Sequence, residues 1–329
     1  MSRTDSIDTS ARRAPLAVVG ALLAALLCLP CAQGQTLNVT LLGTGDPIPR
    51  LDRFGPATLV EAGGHRMLFD AGRGAAQRLG QLGIALGDID EIFITHFHHD
   101  HLIGISDVWM TGWLPNPFGR RNMPLRVWGP AGTAGILEGL RQAYDPNIQI
   151  RIVDEQLPPA GAEFDVHEFS GDGVVFEEDG IVVTAFAVDH GQYIKPSYGY
   201  RIDYAGRSVV ISGDTKFDEN LIERSEGVDV LIHEVAAANE EILDFDQRMQ
   251  LILDHHTTPE EAGIVFARAA PKLAVYTHYV LLSAPNAPEV TVETVVERTR
   301  TTYSGPLQAG EDLMRFEIGD SIKVVPFSP

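Results

Sequence analysis

The sequence predicts an α/β fold of two stacked β-sheets with helices on their outer faces, in a single domain. Three observations predict it. Strand-like apolar runs follow one another with only a few helical stretches between them. Ionisable residues stand where those strands end, at Asp70, 96–101, His190, Asp214, His233 and His278, as in layered α/β proteins whose strand ends share one rim. Residues 35–329 contain no low-complexity linker and no repeat.

Each element has its own signal. TLNVTLLGTG (36–45) is a strand entering a glycine-rich turn, and ATLVEAGGHRMLFDAG (57–72) is two strands joined at Gly63-Gly64, the second ending at Asp70. GAAQRLGQLGI (74–84) has helical spacing. EIFIT (91–95) is a short buried strand, PLRVWGP (124–130) another, and AGILEGLRQAY (134–144) a helix. IVVTAFAV (181–188), SYGYRIDY (197–204), SVVISGD (208–214) and VDVLIHE (228–234) are strands with short connections. TPEEAGIVFARAA (258–270) is a helix opened by Thr258, with Glu261 three residues on, a capping-box pattern. LAVYTHY (273–279) is a strand and EVTVETVVERTR (289–300) a helix.

Residues 1–34 differ from the rest. Arg12 and Arg13 precede the apolar run APLAVVGALLAALLCLP, followed by small residues, the pattern of a signal peptide cut near Gly34 or Ala32, with an uncut N-terminal anchor as the alternative. The run is short for a membrane span, which needs about 20 residues. The expectation is export to the periplasm or beyond, with the paired arginines hinting at a twin-arginine route and no membrane association after cleavage. Cys31 is a candidate lipidation site, though Pro30 fits such a site poorly. Both cysteines, Cys28 and Cys31, lie in this segment, so a mature chain has no disulfide, metal–thiolate site or cysteine nucleophile.

The formal net charge is −20 at pH 7, and no Lys/Arg run occurs outside the N-terminus. Such a surface repels polyanions unless a local basic patch or bound metal reverses the field, so nucleic acid is not the expected partner.

The chemistry concentrates in EIFITHFHHDHLIG (91–104). His96 and His98 are two apart, so on an extended segment their imidazoles leave on the same side. A turn after them can aim Asp100 and His101 at a second centre. Imidazole and carboxylate are ligands for Zn(II), with Fe or Mn also suited.

THFHHDH resembles the His-x-His-x-Asp-His motif of the metallo-β-lactamase superfamily. LLGTGDPIPRLDRFGPATLVEAGGHRMLFDAG, VDHGQYIKPSYGYRI, VVISGDT, LIHEV, DHHTTPEEAG and VYTHY are similar, in order, to motifs of its ribonuclease Z branch, so that the likeness covers nearly all of residues 37–326. The resemblance implies a four-layer αβ/βα sandwich and two divalent metal ions, zinc the first choice. It assigns His96, His98 and His190 to one ion, Asp100, His101 and His278 to the other, and Asp214 as the bridge. Asp70 matches an aspartate that is structural in the family. Glu234 and His256 match a pair that delivers a proton to the leaving group. A hydroxide held between the ions is the nucleophile that such a set implies, and Asp100 can also orient it.

The other histidines carry less. His99 falls at a variable position and is expected to pack or support; His233 is at best supporting; His255 competes with His256. His65 and His167 lie in turn-rich stretches and are expected to be exposed. Trp109, Trp113, Trp128 and Phe118 suit a core, with VWMTGWLPNPFG (108–119) a candidate apolar wall of the pocket.

Ribonuclease Z members that process transfer RNA carry a long basic arm, commonly between the GYR and SGDT motifs. Here only IDYAGRSVVI separates them, room for a plain hairpin. With the acidic surface and the expected export, this points to a small-molecule anionic ester as substrate, a phosphodiester or an aryl sulfate, and away from nucleic acid. Transfer-RNA 3′ processing and lactone or other carbonyl-ester hydrolysis remain the alternatives. The resemblance also leaves a homodimer open.

Overall fold

The computed structural model describes residues 36–328 except 118, 240 and 243–245. The expected signal segment, both cysteines and Phe118 lie outside the described residues. No helix among the described residues is long and apolar enough to cross a membrane.

Two sheets form. The first orders β15 (Ile322–Val325), β14 (Arg315–Ile318), β1 (Leu37–Gly43), β2 (Ala57–Ala62), β3 (His65–Phe69), β4 (Glu91–Phe93), β5 (Leu125–Pro130) and β6 (Phe164–Phe169). The second orders β13 (Leu307–Ala309), β12 (Leu273–Leu282), β11 (Val230–Ala238), β10 (Arg207–Ile211), β9 (Tyr198–Tyr204), β8 (Ile181–Ala187) and β7 (Gly173–Glu178).

Strand alternation divides the core into three. Leu37, Val39 and Leu41 of β1 and Met67 and Phe69 of β3 meet Val183, Tyr200, Val209 and Ile232 of the second sheet in a central layer. Leu42, Leu59, Leu68 and Ile92 point the other way, into a layer with helices α1 (Ala75–Gln81), α3 (Ile105–Trp113) and α4 (Thr133–Asp154). Val210, Leu231 and Ala274 do the same on the second sheet, against α5 (Glu219–Arg224), α7 (Pro259–Ala269) and α8 (Val292–Thr299). The result is the expected helix–sheet–sheet–helix sandwich. Short helices α2 (His99–Leu102) and α6 (Arg248–Leu253) and two 3₁₀ turns, Leu86–Asp88 and Pro159–Ala162, complete the described elements.

Some elements differ from expectation. Helix α4 runs ten residues beyond Tyr144, through Pro146, because Leu137 and Ile148 both bury on the sheet side. Strands β6 and β7 occupy stretches that look turn-rich, since their faces alternate only weakly between half-buried and exposed. Trp109 and Trp113 are fully buried in the first helix–sheet layer, and Trp128 in the central core, so the described tryptophans form core and not a pocket wall.

The hairpin between β9 and β10 turns on two residues, Ala205 (φ 51°) and Gly206 (φ 74°), with Tyr204 paired to Arg207. Both residues occupy the left-handed region that a tight hairpin requires. No arm is inserted there.

Candidate metal centre

Strands β3, β4 and β5 run parallel, as do β10, β11 and β12. Their C-terminal ends therefore deliver side chains to one rim. Asp70 follows β3, Thr95 and His96 follow β4, His98 to His101 form the start of α2, His190 follows β8, Asp214 follows β10, and Glu234 and His278 lie within β11 and β12. His278 sits at a bulge where β12 has one residue more than β11, with φ of 44°, and Asp70 has φ of 56°. Left-handed backbone at a non-glycine residue is costly, and a bulge re-aims the side chain it carries.

Seven expected ligands converge. One donor atom each from His96, His98, His190 and Asp214 lie within 4.8 Å of one another, as do donors from Asp100, His101 and His278. Asp214 Oδ2 stands between the sets, 3.8 Å from His96 Nε2, 3.6 Å from His190 Nε2, and 3.3 Å from both His101 Nε2 and His278 Nε2. Asp100 Oδ2 is 3.4 Å from His278 Nε2 and 3.6 Å from His101 Nε2. His98 Nδ1 is 3.3 Å from His190 Nε2.

Three of the far ring nitrogens are held, those of His96, His101 and His190. Asp70 accepts from Thr95 N (2.9 Å), Thr95 Oγ1 (2.8 Å) and His101 Nδ1 (2.7 Å). With its proton given to Asp70, Thr95 Oγ1 accepts from His96 Nδ1 at 3.0 Å. His190 Nδ1 donates to the His255 carbonyl at 2.7 Å. Each bond fixes the far nitrogen and turns Nε2 of its ring toward the centre. Asp70 thus orients two rings, one of them through Thr95, a relay that the sequence showed only as the residue before the motif.

These donors fit a cation. His96 Nε2, His101 Nε2 and Asp100 Oδ1 are buried without a hydrogen-bond partner, an expensive state unless something charged is bound. Burial pushes His96, His98 and His190 down, His190 to about 3, toward the neutral form a metal takes. Burial would raise the Asp214 carboxyl, but the surrounding His278 and His101 hold it well below its usual range. Asp100 is likewise held down, against burial, to about 2 by His278 and His101. Burial opposes charge on His101 and His278, yet Asp214 raises both, His278 to about 9. Those two rings would release protons to a metal.

Glu234 and His256 stand beside this set. Glu234 is fully buried; its Oε1 accepts from His256 Nδ1 (3.2 Å), Thr215 N (3.2 Å) and Thr257 N (3.0 Å). Burial would lower the His256 pKa, and the Glu234 carboxylate raises it above its ordinary value. A ring nitrogen of His256 lies within 4.8 Å of donors on Asp214 and His278.

The remaining histidines separate cleanly. His99 points outward, its side chain 63% exposed. His255 supplies its carbonyl to His190, and burial lowers its own ring to about 4. His233 is buried against Phe266, donating from Nδ1 to the Glu234 carbonyl. His167 is exposed and stacks on Trp128. His65 is not exposed as expected: it opens β3 and lies between Glu91 and Asp179, 3.0 Å from each.

Fold and site together define a metal-dependent hydrolase of the metallo-β-lactamase fold. The chain belongs to the beta-lactamase superfamily, whose domain model matches residues 65–279. Among curated relatives it is 36% identical over 283 residues to Ribonuclease Z of Mycobacterium marinum, covering 86% of this chain and 99% of the relative. Ribonuclease Z of Mycobacterium bovis is 36% identical over 285 residues, covering 86% and 98%. Among solved structures, the metallo-beta-lactamase fold protein YhfI from Bacillus subtilis superposes with TM-score 0.66 at 18% identity, over 86% of this chain and 100% of that one. The short form of human tRNase Z superposes with TM-score 0.61 at 24% identity, over 84% and 98%.

These relatives overturn one expectation. A small anionic ester was favoured over nucleic acid because the surface is acidic, the arm is missing and export is expected. Relatives aligned over nearly their whole length are named as ribonucleases. Net charge and an arm govern how a chain captures RNA from solution; they do not bear on what the centre hydrolyses.

Proposed function

We propose that the protein is a ribonuclease Z-type endonuclease, hydrolysing an RNA phosphodiester, with 3′-extended transfer-RNA precursors as the first substrate to examine. The observation that carries the reading is the Glu234–His256 pair, buried beside seven converging metal donors in a chain alignable with ribonucleases over 86% of its length. His96, His98 and His190 would hold one ion, Asp100, His101 and His278 a second, and Asp214 both. Divalent ions in such a site supply Lewis acidity toward phosphoryl oxygens and an activated water. The chain's own residues do the rest. Asp70 and Thr95 keep the imidazoles turned inward. Asp100 presents a carboxylate at the centre able to orient the attacking water. Glu234 keeps a proton on His256, which donates it to the leaving oxygen as the P–O bond breaks. We further propose that residues 1–34 direct export and are removed.

A substrate panel tests this. Metal-loaded protein without residues 1–34 is given a 3′-extended transfer-RNA precursor, bis-p-nitrophenyl phosphate, p-nitrophenyl sulfate and a homoserine lactone. The expected result is chelator-sensitive cleavage of the RNA. Turnover of the sulfate or lactone with intact RNA would sink the reading.

A further inference from the structure

The chain lacks an arm between β9 and β10 and is strongly acidic, so an RNA strand must be held by something local. The loop 191–197 offers it. The loop begins directly after His190, and a Cβ added at Gly191 (φ 109°) would come within 3.1 Å of the Cβ of His255, so the loop's first residue lies beside the segment that holds His190. Gly191 takes a backbone that other residues adopt with strain, which sets the loop's turn. Two residues on, Tyr193 is 90% exposed. Among the described Phe, Tyr and Trp residues it is the only one with most of its surface open, whereas Tyr144 and Phe327 are each 37% exposed.

Charge follows the same geography. The chain has four lysines, Lys195, Lys216, Lys272 and Lys323. Two of them lie close in sequence to expected ligands: Lys195 is five residues after His190, on the Tyr193 loop, and Lys216 follows Asp214 by two residues. Lys216 pairs with Asp189 at 3.1 Å. Asp218, the other nearby acid, is engaged by the backbone N–H groups of Asp189 and Leu221. Lys195 makes no ion pair among the described residues, unlike Lys216, Lys272 and Lys323.

We infer that Tyr193 and Lys195 form a docking point for RNA beside the metal centre, with a base stacked on the Tyr193 ring and a phosphate on Lys195. An open aromatic ring on the same short loop as an ammonium outside any ion pair is the pairing by which single-stranded nucleic acid is held without sequence preference. The inference rests on the RNA reading above and adds to it where the strand is gripped.

The test is anisotropy binding of a hairpin RNA with a single-stranded 3′ tail to metal-loaded protein, across a salt series. Tyr193→Ala should weaken binding roughly tenfold, and Tyr193→Trp should restore it. Lys195→Ala should reduce the slope of log affinity against log salt by about one, while Lys323→Ala leaves it at the wild-type value. Wild-type affinity and slope in both Tyr193→Ala and Lys195→Ala would overturn the docking point and leave the RNA reading standing. Absence of salt-sensitive RNA binding and cleavage in the wild type would defeat the RNA reading and this inference with it.

Discussion

Replacing Glu234 by glutamine isolates the proton-delivery step. Glutamine keeps an oxygen able to accept from Thr215 N and Thr257 N, now 3.2 and 3.0 Å from Oε1, so the local frame survives. What it removes is the negative charge 3.2 Å from His256 Nδ1. A charge pair about 4 Å apart is worth about 4 kcal/mol at an effective dielectric of about 20. Burial of His256 works against that attraction, so the imidazolium should lose about one to three pH units of its range. The assay is a pH–rate profile on two esters, one with an alkyl or ribose leaving group and one with p-nitrophenolate. The alkaline limb should move to lower pH by that amount for the poor leaving group, with rates reduced by about 10–10³-fold above it, tenfold for each pH unit lost. The p-nitrophenolate ester, which leaves without a proton, should change far less. Identical profiles for wild type and Glu234→Gln on the poor leaving group would refute the assignment of His256 as acid.

Other outcomes follow from the same geometry. Asp214→Ala should abolish turnover and drop bound metal below that of the wild type, measured by plasma emission after dialysis; full metal content would remove Asp214 from the bridge. Asp70→Ala strips three donors of their acceptor and should lower metal affinity about 10–100-fold by titration calorimetry, with loss of about 1–3 kcal/mol of stability in denaturant melts; unchanged affinity would make Asp70 a bystander. His65, with a carboxyl group at each ring nitrogen, satisfies both as imidazolium once they are ionised, Glu91 being pushed up to about 7 by burial. Burial opposes the charge, but Asp179 and Glu91 raise its pKa. The folded state therefore holds the proton more tightly, so this stability is full below the unfolded pKa and fades as pH rises through the folded one. Thermal melts of His65→Gln should show a smaller alkaline loss than wild type, and parallel curves would reject the linkage.

Much of this was legible in the sequence because motif and strand end coincide. The Thr258–Glu261 capping box forms as its spacing predicts, and Pro259 takes the first helical turn. The spacing of His96 and His98, with Asp100 and His101 beyond a turn, needs only local backbone to divide the run between two sets. His99 then has no inward direction left, and it points outward. The choice between His255 and His256 was not local: it depends on Glu234, 22 residues away and on another strand. The same holds for His65, whose partners Glu91 and Asp179 come from different sheets. Strands β6 and β7 were missed because neither has a clean apolar face. The sequence argued against nucleic acid from net charge, which averages over a whole surface and cannot report a local binding feature, whereas relatives aligned over 86% of the chain are named as ribonucleases.

The account stands most directly on anomalous diffraction from crystals of the metal-loaded protein. It predicts two peaks roughly 3.5–4 Å apart. One should be bound by His96, His98 and His190, the other by Asp100, His101 and His278, with Asp214 Oδ2 between them. A single peak, or an ion ligated by His99 or His255 in place of these residues, would contradict it.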